Sequence, residues 1–372
     1  MSVQDRLNRI WYDGAFGRSL LAPLAWLYGR AERSRRRAFV AGRRRAGRVA
    51  CRVIIVGNLS AGGTGKTPVV AWLAWQLGAL GRKVGIASRG YGARRAGSQA
   101  VDPAADWRSF GDEPVLLQRR TGVPVVVDAD RVAAAQRLVE LGADVVICDD
   151  GLQHLRLARD FELVVIDGAR GLGNGRLLPA GPLREAPARL ASVDAVVING
   201  EPRAGLLEYL AALGAPSPLL MRMVPSVVEP VRRAGSHETL AHEIAALHQA
   251  GGSGAQLWGH RLGDLAGVRV HAVAGIGNPE RFFELLRSHG LEVTPHAFAD
   301  HHAFRPRDLA LPGKWPILMT EKDAVRCAAF ATDRLACVPV TAQFSPLDAE
   351  TLLLGVTAGC VRAAAAAATG TG

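Results

Sequence analysis

From Arg52 onward, short apolar runs alternate with longer stretches of helical period. Val53 to Val56, Val84 to Ala87, Val125 to Val127, Val145 to Cys148, Leu163 to Ile166 and Ala195 to Ile198 are unbroken apolar runs, the pattern of strands buried on both faces. Between several of them, Pro68 to Leu80, Glu113 to Arg120 and Arg131 to Leu141 carry helical spacing. This order predicts βαβ units and a mainly parallel sheet with flanking helices. A second series, Val270 to Ala274, Pro279 to His289, Glu292 to His296, Ile317 to Thr320 and Ala336 to Val340, predicts a smaller C-terminal α/β domain. Residues 226 to 268 carry Arg232-Arg233-Ala234-Gly235-Ser236, an Ala/Leu/His helical pattern and then Gly251-Gly252-Ser253-Gly254, and predict a linker or insertion between a domain at 51–225 and one at 269–362. The alanine-rich tail, 363–372, is of low complexity.

Residues 1–50 break the pattern. Trp11-Tyr12 and the apolar run Leu20 to Tyr28 are followed by Arg30, Arg33, Arg35, Arg36, Arg37, Arg43, Arg44, Arg45 and Arg48. Nine residues of helix rise roughly 14 Å, less than half of a ~30 Å hydrocarbon core, so this run cannot cross a bilayer. Aromatics beside an apolar stretch, then a dense arginine cluster, suit a helix lying in the headgroup layer of an anionic leaflet. The competing reading is an apolar helix docked on the body with a solvated arginine face.

Charge sharpens this picture. The 372 residues carry a formal +11, but residues 1–52 alone hold 13 Arg against three acids, so the rest is nearly neutral. Basicity confined to one segment argues against a nucleic-acid surface, and the aromatics precede the arginines rather than interleave with them. Five cysteines without CxxC spacing favour neither a disulfide framework nor a zinc site and fit a reducing cytoplasm.

The chemistry begins at Ser60-Ala61-Gly62-Gly63-Thr64-Gly65-Lys66-Thr67, after a strand and before a helix. That context is the one a phosphate-binding loop requires: glycines admit phosphate to the backbone N–H groups, Lys66 reaches the β/γ oxygens, and Thr67 offers its hydroxyl to Mg²⁺. The motif wants glycine where this chain has Ser60, and a tight turn with an exposed lysine is the alternative. Val145 to Cys148 runs into Asp149-Asp150-Gly151, a second metal handle at a strand end, where either carboxylate could hold the ion. Alone, Asp-Asp-Gly would be an ordinary turn. His154, three residues on, suits orienting better than ligating, because Mg²⁺ prefers oxygen.

Six runs then follow in order: Ser88-Arg89-Gly90-Tyr91-Gly92, Gly111-Asp112-Glu113-Pro114, Asp149-Asp150-Gly151-Leu152-Gln153-His154, Gly173 to Glu185, Gly275 to Phe283, and Thr320-Glu321-Lys322-Asp323-Ala324. Together with the phosphate loop they closely resemble the tetraacyldisaccharide 4'-kinase (lipid A 4'-kinase) family of Gram-negative bacteria, over about Arg9 to Val340. The resemblance implies an α/β fold of P-loop NTPase type. It implies an ATP- and Mg²⁺-dependent kinase that moves the γ-phosphate to the 4'-hydroxyl of a lipid A disaccharide 1-phosphate. The partners implied are that lipid and the anionic cytoplasmic face of the inner membrane, with no nucleic acid and no obligate protein partner. By the same resemblance Asp112 matches the catalytic carboxylate and His301 its histidine partner, with His302 the weaker match. Such a pair, drawn from two domains, would assemble when the cleft between them closes. Taken alone, Asp112 would be a helix cap and His301 a surface-loop histidine. Arg89, Arg184, Glu113 and His154 are the substrate-binding candidates. Arg89 and Arg184 each have a structural ion pair as the alternative, for Arg184 with Glu185 or Asp167, and Lys322 stands between nucleotide contact and domain edge.

Two rival functions remain open from residues alone. A P-loop NTPase driving a partner would hydrolyse nucleotide without lipid, and a membrane adaptor would use nucleotide only as a switch. Neither accounts for the six runs.

Overall fold

A computed structural model describes residues 10–12, 20–90, 97–231 and 257–368. Tyr91-Gly92 of the first run, most of the glycine-rich connection (232–256) and the end of the tail (369–372) lie outside the described residues.

The chain forms two compact units. The first comprises Met1–Arg89, Val123–Met223 and Ala342–Gly372, and the second Gly90–Gly122 and Val224–Thr341.

In the first unit, helix α1 (Ala22–Val40) precedes β1 (Arg52–Gly57), α2 (Lys66–Ala79) and β2 (Val84–Ser88). After the excursion into the second unit, which holds α3 (Asp112–Thr121), come β3 (Val125–Val127), α4 (Arg131–Glu140), β4 (Val145–Asp149), β5 (Phe161–Asp167), β6 (Ala195–Asn199), α5 (Leu206–Ala212) and β7 (Leu219–Pro225). Strand β1 lies between β4 and β5, and both pairings are parallel. Outward from β4 come β2 and β3, and outward from β5 come β6 and β7, again all parallel. Every residue of β1, β4, β5 and β6 is buried, which is why their sequences run apolar without alternation. One face of the sheet packs Val53, Ile55, Val146, Cys148, Val164 and Ile198 against Ala134, Ala135 and Leu138 of α4. Helix α2 is buried nearly all round, so its apolar residues show no one-sided stripe.

The second unit continues with β8 (Glu229–Pro230), β9 (Arg269–Ala274), α6 (Pro279–Ser288), β10 (Glu292–Ala297), β11 (Ile317–Thr320), α7 (Glu321–Cys327) and β12 (Leu335–Val338). Its sheet runs in the order β10-β9-β11-β12-β8, parallel except for the antiparallel β12–β8 pair. The chain then returns through β13 (Val340–Phe344) to α8 (Pro346–Ala368).

Two expected boundaries move. Asp112 belongs with the second unit, because Gly90–Gly122 groups with Val224–Thr341 rather than with the phosphate loop. The expected linker is also partly core: Val228, Leu257, Trp258, Leu262 and Leu265 are buried against Phe282, Phe283 and Leu286. A two-residue strand containing Pro230, and apolar residues scattered among glycines, carry no periodicity to read.

Candidate functional site

Each chemical group of the first unit sits where a parallel strand ends. Asp149, Asp167 and Asn199 are the last residues of β4, β5 and β6, and the phosphate loop follows β1. The carboxyl edge of an open parallel sheet is where such folds bind ligands.

The loop is held from behind by two asparagines. Asn58 Nδ2 donates to the carbonyls of Ser60 (2.7 Å) and Gly62 (3.2 Å), which ties those oxygens inward. Asn199 Nδ2 donates to Thr64 O at 3.0 Å. Gly65 has φ +94°, and a Cβ there would lie 2.5 Å from Asn199 Nδ2, so this glycine is required by both backbone and space. Ser60 needs no glycine: the positive-φ non-glycine residues described are Asp150 and His301, and Ser60 is instead buried in a bridge with Leu183. That explains how the loop departs from the usual motif without losing its shape.

At the start of α2, Lys66 Nζ lies 3.3 Å from Asp150 Oδ1. Arg184 Nη1 donates to both oxygens of the same carboxylate, at 3.0 and 2.9 Å. The sequence alternatives for Arg184 are thereby replaced, since Glu185 pairs with Arg189 and Arg36, and Asp167 with Arg170. Burial would raise the Asp150 carboxyl, but Lys66 and Arg184 outweigh it and hold the group at about 2. Asp150 adopts φ +50°, a left-handed backbone that costs a residue with a Cβ. Asp149 beside it is 2% exposed.

The remaining candidates of this unit are more scattered. Arg89 is exposed after β2. His154 stands 3.7 Å from Asp130 Oδ1, and burial, with Arg131 nearby, lowers it to about 4, so it is neutral at pH 7. Two groups missed from sequence, Asn58 and Asn199, had a legible signal in their polar character directly after or at the end of apolar strands.

The second unit contains a separate cluster. Asp112 opens α3, and its Oδ1 accepts from Glu113 N at 2.8 Å. Its Oδ2 meets His301 Nδ1 at 3.1 Å and accepts from Arg326 Nε at 2.7 Å and from Arg326 Nη2. Arg326 is fully buried, and its Nη1 donates to Asp323 Oδ1 (2.9 Å) and Gly275 O (2.8 Å). Lys322 Nζ donates to Glu113 Oε1 at 2.9 Å and lies 3.4 Å from His301 Nε2. Burial raises the Asp112 carboxyl, but the His301 hydrogen bond and the charges of Lys322 and Arg326 hold it well below the usual carboxylate range. His301 has φ +58° and His302 is turned away, paired with Asp308 at 3.0 Å and set against Phe298 and Phe304. Asp112 and His301 are thus brought together inside one unit, not contributed by two. Arg326 and Asp323 were missed because an i,i+3 Asp–Arg pair on a short helix looks like surface charge until its burial is known.

Helix α1 docks by its small and polar stripe. Ala25, Gly29 and Glu32 are buried, Tyr28 Oη donates to Arg184 O at 2.9 Å, and Arg36 reaches Ser192 Oγ at 3.1 Å. The large apolar residues face outward: Leu20, Leu24, Trp26 and Leu27 are 81, 55, 58 and 56% exposed. Arg30 lies over the Trp26 ring at 5.0 Å. Among the described residues, no helix is long and apolar enough to cross a membrane.

A family model described as tetraacyldisaccharide-1-P 4'-kinase matches residues 17–358 of this chain. The tetraacyldisaccharide 4'-kinase of Alkalilimnicola ehrlichii is 47% identical over 333 residues, covering 89% of this chain and 90% of that protein. That of Stenotrophomonas maltophilia is 45% identical over 340 residues, covering 90% and 91%. A crystal structure of LpxK from Aquifex aeolicus in complex with ATP shares the fold at a TM-score of 0.66 and 24% identity, covering 91% of this chain and 99% of that one.

Proposed function

The chain belongs to the tetraacyldisaccharide-1-P 4'-kinase family, and on that premise we propose how its residues divide the work of phosphorylating the 4'-hydroxyl of a tetraacyldisaccharide 1-phosphate. ATP is the donor. The backbone amides of Gly62 to Thr67 cradle its phosphates, and Lys66 exchanges the Asp150 carboxylate for the β/γ oxygens when nucleotide arrives. The observation that carries this reading is the phosphate loop with its lysine already aimed at the end of β4, where phosphoryl-transfer sites keep their acids.

The donor set fits a hard dication: the Thr67 hydroxyl and the Asp149 and Asp150 carboxylates are all oxygens. Thr67 and Asp149 would hold Mg²⁺, with Asp150 available beside them once Lys66 turns from it to the phosphates. When bound, the ion neutralises charge on the β- and γ-phosphates.

The acceptor needs its proton removed as the 4'-oxygen bonds to the γ-phosphorus and the bond from that phosphorus to the β–γ bridging oxygen breaks, releasing ADP. Asp112 and His301 act as a pair. Asp112, kept ionised, accepts the Nδ1–H of His301, which leaves Nε2 with the lone pair that takes the proton. Arg89 and Arg184 are the cations assigned to phosphate, as planar donors. Glu113 acts through Lys322, which it anchors beside His301 Nε2.

A substrate with four acyl chains stays in the bilayer, so the enzyme works at its surface. The exposed Leu20 just before α1 and the outward Leu24, Trp26 and Leu27 on it, followed by the arginine tract, support peripheral attachment to the anionic cytoplasmic leaflet of the inner membrane.

The test combines purified protein, Mg²⁺, γ-labelled ATP and the lipid in detergent micelles, with Asp112→Ala alongside. Label in the lipid for wild type, and hardly any for Asp112→Ala, is the expected result. ATP hydrolysed equally with and without lipid, and no labelled lipid, would overturn it.

A further inference from the structure

The loop's exposed glycines have a cation on the side away from Lys66. Lys66 and Arg184 both lean on Asp150, which follows β4, one neighbour of β1. Arg170 follows β5, the other neighbour. Its Nη1 lies 3.7 Å from where a Cβ on Gly62 would sit, so the guanidinium flanks the open face of the loop. Gly62 and Gly63 are exposed there, with their loop carbonyls at Ser60 and Gly62 already engaged by Asn58.

Arg170 is held ready rather than consumed. Its backbone N donates to Asp167 Oδ1 at 3.0 Å, while its side chain stands 3.8 Å from Asp167 Oδ2, a loose ion pair. Its other face meets the Tyr12 ring, 5.7 Å from guanidinium carbon to ring centroid. Tyr12 is brought there by its neighbours: Trp11 Nε1 donates to Pro179 O at 3.0 Å, and Asn174 Nδ2 donates to Ile10 O at 3.3 Å. A short stretch preceding α1 is therefore pinned beside the phosphate loop.

We propose that Arg170 is a ligand of the non-transferred phosphates of the nucleotide, on the β5 side of the loop, and that Tyr12 positions it. The inference rests on the nucleotide reading of the loop given above. A planar guanidinium matches phosphate oxygens with two N–H groups at once. A ring beneath it limits the orientations the side chain must give up on binding, and favours the cation by its quadrupole. The segment preceding the membrane-facing helix then contributes to donor affinity, a coupling that the phosphate-loop motif alone does not contain.

The test is calorimetric titration of the full-length protein with ADP, with and without Mg²⁺, for wild type, Arg170→Ala, Arg170→Lys, Tyr12→Ala and the Tyr12/Arg170 double alanine variant. Arg170→Ala is expected to weaken ADP by at least about tenfold and Arg170→Lys by less, because the charge survives without the fork. Tyr12→Ala is expected to weaken it roughly threefold, with the double variant no worse than Arg170→Ala. In turnover, KM for ATP rises while KM for the lipid is unchanged. Lys66→Ala separates the failures. ADP affinity lost in Lys66→Ala but within about twofold of wild type in Arg170→Ala would overturn this inference alone. Affinity unchanged in both would overturn the nucleotide reading itself. Additive Tyr12 and Arg170 effects would overturn the positioning role of Tyr12, and if Arg170→Ala does not fold, Arg170→Gln, neutral at similar length, decides.

Discussion

Arg326 spends two of its three guanidinium nitrogens on one atom, Oδ2 of Asp112, the oxygen that also meets His301. Both side chains are sealed from solvent, Arg326 completely and Asp112 to 5% exposure. Arg326 therefore fixes the orientation of Asp112 and, together with the His301 hydrogen bond and the Lys322 charge, keeps it ionised without needing to touch substrate.

Removing that guanidinium leaves a buried carboxylate with less compensation. Arg326→Met is expected to destabilise the second unit by roughly 3–5 kcal/mol, the usual cost of breaking a buried pair from one side. Urea unfolding followed by far-UV circular dichroism reads this directly. Arg326→Lys should lose less stability, since charge remains but the fork reaching Asp112, Asp323 and Gly275 does not. A midpoint for Arg326→Met indistinguishable from wild type would show that the pairing contributes nothing net.

The pH dependence follows from the same pair. The folded Asp112 carboxyl lies below its unfolded value, so its contribution is present above the ordinary carboxylate range and drains away as pH falls through the folded value. The stability gap between wild type and Asp112→Asn should therefore be widest near pH 7 and narrow in acid, by ~1 kcal/mol at pH 3, about one unit below the unfolded value. Paired urea titrations at the two pH values measure it. A gap that widens on acidification would contradict the assigned direction.

How much of this was legible in sequence depended on the range of the signal. Val125 to Val127 and Ile317 to Thr320 are strands with the bounds their apolar runs predict, because a buried parallel strand writes its whole environment into consecutive residues. The phosphate loop and Asp149-Asp150 were legible for a related reason: glycine spacing and strand-end acids are local. Arg326 was not, since its partners Asp112 and Gly275 lie 214 and 51 residues away. Helix α1 was half legible. Its apolar run was visible, but the docked stripe turns out to be Ala25, Gly29 and Glu32, small and polar residues, and the contacts made there, Gly29 against Leu177 and Tyr28 with the Arg184 carbonyl, are long-range.

Asp150 allows charge to be separated from backbone. Asparagine tolerates the left-handed conformation as well as aspartate, so Asp150→Asn should fold with a melting temperature within a few degrees of wild type. It cannot neutralise Lys66 and Arg184, and kcat should fall by roughly 100-fold or more, the scale of a lost group that organises transition-state charge. Because the wild-type carboxyl sits at about 2, its titration is expected to leave activity flat between pH 5 and 7. Steady-state kinetics beside thermal melts would separate the two effects; a fully active Asp150→Asn would remove Asp150 from the site.

The outward face of α1 makes the proposed membrane attachment measurable apart from folding. Leu24, Trp26 and Leu27 are more than half exposed, so replacing all three with glutamine removes little packing from the folded protein. Burying a large apolar side chain contributes about 1.5–3 kcal/mol, and losing roughly 3 kcal/mol across the trio corresponds to about 100-fold in affinity. The triple variant should thus bind anionic vesicles about 100-fold more weakly in a sedimentation assay, with an unchanged melting curve. Salt should weaken wild-type binding to anionic vesicles and leave neutral ones little affected, as the arginine tract requires. The opposite face should behave oppositely. A Cβ on Gly29 would sit 2.6 Å from Leu177 Cδ1, so Gly29→Ile should lower the melting temperature by displacing the docked helix. Unaltered vesicle binding by the triple variant would place the membrane contact elsewhere on the chain.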